Sequence, residues 1–197
     1  MDIYQLCNAK ATKYFTLSVK EKKTDNVQHY YLSEYIEKTN NDITFHIMKG
    51  KHDADCIRIY GWSEDVYSDK FVAMLEENGV NNLDKYLVNI DDTRYELKNK
   101  YYWILTKSKI PKIPCVKNEE GKKHDIDEYC KKNNIGKDNI LVIGERWYLY
   151  GDFSKWDGSK IFWFADGCVF YVTDEIKRVS EKMKLKNIYY EKIEKYE

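Results

Sequence analysis

The 197-residue sequence predicts an α+β fold, with short strands in mostly antiparallel sheets and two or three amphipathic helices. Three observations carry this expectation. Ile161–Phe164 and Cys168–Val172 are apolar, aromatic and β-branched runs separated by Ala165-Asp166-Gly167, which has the chemistry of a hairpin turn. Thr173 then stands where a helix N-cap belongs, Asp174 and Glu175 fill a first turn whose dipole favours anions, and Ile176, Val179 and Met183 form one apolar stripe. Lys182, Lys184 and Lys186 suit the helix C-terminus, and Ile188 to Ile193 read as a returning strand. The third observation is that this strand–helix–strand pattern occurs twice. Val66-Tyr67-Ser68-Asp69, then Phe71, Met74, Val80, Asn82 and Leu83, then Tyr86 to Ile90, align without a gap to positions 105 residues later. An internal repeat produces such a match, and so do two ordinary units of equal spacing.

The rest of the chain is read element by element. Ile3–Leu6, Tyr14–Val19, Ile43–Met48 and Cys56–Tyr60 have strand character, Lys20–Asn26 is a polar loop, and Leu32–Ile36 suits a short helix. A helix over Asp69–Glu77 is closed by Asn78-Gly79 in C-cap order. Tyr86–Ile90 and Tyr101–Leu105 are expected strands on either side of polar Asp91–Lys100. The two prolines, Pro111 and Pro114, interrupt regular pairing, so a chain of two lobes (1–107 and 120–197) would join near 107–120. A single α+β domain spanning 1–197 is the simpler division. Asp125–Lys132 suits a short helix, and Ile140–Ile143 with Trp147–Tyr150 suits a hairpin.

Composition narrows the function classes. Lys+Arg and Asp+Glu are 33 each, so no basic field points to nucleic acid. Apolar runs are far shorter than a bilayer span, and the first residues lack a secretory pattern, so a cytoplasmic protein without membrane association is expected. The five cysteines, odd in number and without a C-x-x-C pair, suit reduced thiols rather than disulfides or zinc.

Candidate chemistry is sparse. His46, His52, Asp53 and Asp55 form the best cluster of metal-ligand types, but adjacent loop carboxylates and histidines are usually solvated, and neither a metal nor a cofactor is expected. No nucleophile elbow, Walker loop or dinucleotide fingerprint occurs, and no catalytic residue is assigned. Asp91-Asp92 and Glu119-Glu120 read as solvent-facing turn residues. The densest feature is aromatic: Trp147, Tyr148, Tyr150, Trp156 and Trp163 lie within 17 positions. Since alternate strand residues face opposite ways, these side chains either fill a core on both faces or leave a row exposed for a partner.

The order of capped helix, strand near Asn82–Ile90, Tyr101-Tyr102-Trp103-Ile104-Leu105, the hairpin Ile161–Val172, Thr173-Asp174-Glu175-Ile176 and Asn187-Ile188-Tyr189-Tyr190 resembles the immunity proteins of bacterial polymorphic toxin systems, in the group first catalogued as a domain of unknown function. It runs from Val66 onward and rests on apolar positions. The small-residue turn usual before the last strand is replaced by Lys184-Leu185-Lys186. The resemblance implies a non-catalytic antitoxin that binds and blocks a cognate toxin. Its expected contacts are Trp147, Tyr148, Tyr150, Trp156 and Trp163, with Asp91, Asp92, Glu119 and Glu120 if the toxin is a basic nuclease. A small enzyme using His46, His52, Asp53 and Asp55, and a phage-derived interaction protein, are the other readings.

Overall fold

In the computed structural model, residues 1–19, 44–60, 64–113, 119–144, 149–164 and 169–196 are described. They form an α+β fold whose strands pair mainly antiparallel. In chain order the first part contains β1 (Ile3–Asn8), β2 (Thr16–Val19), β3 (Thr44–Lys49), β4 (Cys56–Ile59), β5 (Asp65–Ser68), α1 (Asp69–Glu77), β6 (Leu83–Leu87), β7 (Asn89–Ile90) and β8 (Tyr101–Thr106). Then come β9 (Lys109–Ile110), β10 (Lys112–Ile113), α2 (Glu119–Asn133), β11 (Ile140–Gly144) and β12 (Leu149–Asp152). The chain continues through β13 (Ile161–Phe164), β14 (Phe170–Thr173), α3 (Asp174–Lys182), β15 (Ile188–Lys192) and β16 (Glu194–Lys195). Three sheets result, ordered β6-β8-β5-β4-β2-β3-β7, β15-β1-β14-β13-β9 and β10-β12-β11-β16.

The repeat legible in the sequence is present in the backbone. Shifting β4, β5, α1, β6 and β7 by 105 residues reproduces both ends of β13, β14, α3, β15 and β16. Each unit keeps its two helix-flanking strands apart by one inserted antiparallel strand. In the first unit this is β8, which follows directly in the chain. In the second it is β1, the strand nearest the N-terminus. The registers correspond: Ser68 lies opposite Tyr101 as Thr173 lies opposite Ile3, and Leu83 lies opposite Thr106 as Ile188 lies opposite Asn8. Backbone bonds repeat as well. The Asp69 amide donates to Lys100 as Asp174 donates to Asp2, and the Val88 amide donates to Tyr101 as Ile193 donates to Ile3.

The two units share one core. The apolar face of α1 buries Phe71, Val72, Met74 and Leu75, which join Leu6 of β1, Ile104 of β8, Ile161, Phe170 and Val172 of the second unit, and Ile176 of α3. Each such side chain contributes about 1.5–3 kcal/mol of transfer free energy. The opposite face of the seven-stranded sheet has its own core around Leu17, Phe45, Ile57, Ile59, Val66 and Trp103. Gly151 lets β12 approach β13, since a Cβ there would lie 1.9 Å from the Phe164 ring. Helix α1 ends as its residues require, with Asn78 at the C-cap and Gly79 at φ +78°.

Some expectations are corrected. Helix α2 begins six residues before Asp125, so Glu119 and Glu120 open a helix rather than occupy a turn; carboxylates are favoured at that end by the helix dipole. Its polar first half hid the apolar period. The single strand expected over Tyr86–Ile90 is two, β6 on β8 and β7 on β3. Trp147 and Tyr148, the polar loop Lys20–Asn26 and the short helix Leu32–Ile36 lie outside the described residues. No helix among the described residues is long and apolar enough to cross a membrane.

Candidate functional site

The positions expected to meet a partner fall into three groups. Tyr150 is buried, edge-on to Tyr196. Trp156 and Trp163 are half-buried, Trp156 stacked on Phe153 at 4.6 Å and Trp163 on Phe170 at 6.0 Å, with the Lys109 ammonium 5.2 Å from the Trp163 ring. Tyr150 thus belongs to the core, and the two tryptophans are each partly covered by a neighbouring ring. Asp91 and Glu120 are exposed, on a loop and on the first turn of α2. Asp92 is committed: its side chain is 4 % exposed and takes bonds from the Arg94 guanidinium at 2.6 and 2.9 Å and from the Ile47 amide at 3.2 Å. Those bonds hold its carboxyl well below the usual carboxylate range.

The four residues of the alternative cluster separate. Asp55 is buried and accepts from the Ser68 hydroxyl (2.8 Å) and the Lys186 amide (2.7 Å), tying the first unit to the end of α3. His46 stands on β3 opposite Ser18. His52 and Asp53 line one shallow depression of about 500 Å³ with Lys13, Arg94 and Tyr95. Asp53 there accepts from the Lys98 amide and the Asn99 side chain. Among the described residues no group of three or more His, Cys, Asp or Glu is arranged to hold a metal ion, and Cys7, Cys56 and Cys130 are free thiols.

A different cluster has more chemistry. Cys56 and Arg58 of β4 lie directly opposite Tyr67 and Asp65 of β5. The corresponding pairs in the second unit are Ile161 with Val172 and Trp163 with Phe170. Four groups able to donate, accept or ionise thus occupy positions that the second unit fills with hydrocarbon and aromatic side chains. Arg58, Asp65 and Tyr67 line a cleft of about 410 Å³ between the first unit and strands β1 and β15, with Cys7, Asn8 and Lys10 on one side and Tyr189 and Glu191 on another; Cys56 is buried beneath it. Phe170 closes it, its ring edge-on to Tyr67 at 5.9 Å.

The electrostatics follow from burial. Desolvation raises the Asp65 carboxyl to about 7, although its thiol partner, the positive charge of Arg58, the Asn8 side chain and the positive charge of Lys10 pull the other way. One of its hydrogen-bond donors is the Cys56 thiol at 3.6 Å, a weak one. Cys56 in turn accepts from the Asn8 amide at 3.3 Å, and burial pushes its own titration well up. Burial likewise raises Cys7 to about 11, so neither thiol is a ready nucleophile near neutrality. Asn187, at φ +64°, braces the cleft from below by donating to the Asn8 side chain (3.2 Å) and the Cys56 carbonyl (2.8 Å). The sequence reading missed this cluster because its members come from three distant segments. The repeat held the signal: Arg58 and Asp65 are polar where Trp163 and Phe170 are not.

No family model matches the chain, and no curated protein matches it.

Proposed function

We propose that this chain is an immunity protein that binds and neutralises a cognate toxin by covering it, without catalysing a reaction. The observation that carries the reading is the segment on which the resemblance rests. Thr173 to Tyr190 folds as cap, α3 and β15, and β15 is the terminal strand of its sheet. A terminal strand presents backbone donors and acceptors to a second chain. Tyr189 of β15 is 42 % exposed and supplies an aromatic anchor of the kind that dominates interface energetics. Glu191 and Lys192 beside it are exposed charges that set orientation and rate of encounter. Asp91 and Glu120 add negative charge that suits a basic toxin.

Co-expression with the toxin encoded beside the gene tests this reading. Protection of the host, with a complex that survives gel filtration, is the expected outcome, and Tyr189→Ala weakens the complex about tenfold or more. Cell death together with no complex removes the proposal.

A further inference from the structure

We propose that the cleft between β4, β5 and β1 is a binding site for a small zwitterion of the amino-acid class, with its ammonium group against Asp65 and its carboxylate against Lys10 and Arg58. The inference does not rest on the immunity reading. It begins with the repeat. The backbone that places Arg58 opposite Asp65 also places Trp163 opposite Phe170, and the second arrangement closes with two parallel rings. Folding of this unit is therefore compatible with an apolar pair, and a carboxylate at that point costs desolvation that the aromatic version avoids. Residues kept at an energetic cost, in a concave site, are those that mark binding or catalysis.

The arrangement of charge selects the ligand. Asp65 lies inside the cleft with the Cys56 thiol and the Asn8 side chain, both uncharged, as its hydrogen-bond donors, and a carboxylate's lone pairs leave acceptor capacity for a charged donor. The rings of Tyr67 and Phe170 flank the same space, and aromatic faces attract ammonium groups. Lys10 and Arg58 are exposed at the rim, and among the described residues neither enters an ion pair. Glu191 also lines the cleft, so its rim carries two positive charges against one negative; a cation alone would meet that net positive rim, and an anion alone would meet Asp65. A molecule carrying both charges, ammonium inward and carboxylate outward, satisfies both. The volume of about 410 Å³ lies within the range of small-molecule sites.

The test is titration of the full chain with L-leucine, L-lysine and L-arginine in turn, followed by calorimetry or amide chemical shifts. Saturable binding of at least one, with shifts at Lys10, Arg58 and Asp65, is expected. The amine lacking the carboxylate (3-methylbutylamine, cadaverine or agmatine) should bind about tenfold more weakly or worse, and so should Asp65→Asn. Lys10→Gln/Arg58→Gln should lose discrimination between the amino acid and its amine. The apolar residue tolerated at the corresponding position makes Asp65→Asn a folded protein, verified by its circular dichroism. Absence of saturation by about 10 mM for all three amino acids overturns the proposal, as does undiminished binding by Asp65→Asn.

Discussion

The first unit, β4 to β7 with β8 inserted, and the second, β13 to β16 with β1 inserted, are built on one backbone plan with different side chains. Their strands, helices and registers coincide at one offset, yet their caps and inner pairs do not. What the difference teaches is which features the plan needs. It needs an apolar residue on the inserted strand, Leu6 or Ile104, and an aromatic or aliphatic anchor on the helix, Phe71 or Ile176. It needs an Asn before the edge strand: Asn187 bonds Asn8 as Asn82 bonds Thr106. It does not need Cys56, Arg58, Asp65 or Tyr67.

Truncations of the inserted strands give the largest expected effect. Leu6→Ala and Ile104→Ala each remove a side chain buried in the shared core and should each cost about 2–5 kcal/mol in urea denaturation. Similar losses support equivalence of the two strands; a neutral Leu6→Ala would show that β1 is an appendage. The asparagines come next. Asn187→Ala loses bonds to Asn8, Cys56 and Ala11 and forces alanine to φ +64°, so it should cost about 2–3 kcal/mol. Asn82→Ala loses bonds to Thr106 and Ser159 and should cost about 1 kcal/mol. The reverse ranking would break the comparison.

The helix caps give the sharpest contrast, and Thr173 the smallest effect of all. Ser68 accepts from the Phe71 amide at 3.1 Å and donates to Asp55 at 2.8 Å, so Ser68→Ala should destabilise by about 1–2 kcal/mol. Thr173 holds the same position but makes no capping bond, and its buried hydroxyl has no hydrogen-bond partner among the described residues. Thr173→Val should therefore be neutral or stabilising by a few tenths of a kcal/mol, because an unpaired buried hydroxyl is removed at nearly constant shape. Thermal melts of both variants check this.

Much of the fold was legible where local chemistry and packing agreed. The bounds of α1 follow from Ser68, Asp69 and Asn78-Gly79, and the antiparallel pairing of β13 with β14 from two apolar runs; the expected turn Ala165-Asp166-Gly167 lies outside the described residues. Thr173 shows the limit of that logic: it stands at the cap position, but its hydroxyl does not turn to the helix. The insertion of β1 between β14 and β15 was invisible, because nothing local to Ile3–Asn8 specifies partners more than 160 residues away. The cleft was hidden for the same reason, its parts coming from β1, the β4–β5 hairpin and β15. The aromatic run 147–163 attracted notice by density; of it Tyr150 is buried, while Trp156 and Trp163 are half-buried, stacked on Phe153 and Phe170.

Asp65 takes the place that Phe170 holds in the second unit, and its titration tests whether the charge is foreign to the fold. Its carboxyl is raised to about 7 from the usual 3.8, so between those values the folded chain binds a proton that the unfolded chain has released. Stability must then fall as pH rises through that window and level off above it. Asp65→Asn removes this loss, and its advantage should grow from near zero at acid pH to roughly 2–4 kcal/mol at pH 8, the lower end reflecting solvent admitted by the cleft. Guanidinium denaturation of the native chain and of Asp65→Asn at about pH 4 and pH 8 measures it directly. A more stable Asp65→Asn at pH 8 only is the predicted result; an Asp65→Asn less stable than the native chain at pH 8 would mean that the carboxylate supports the fold, contradicting the account.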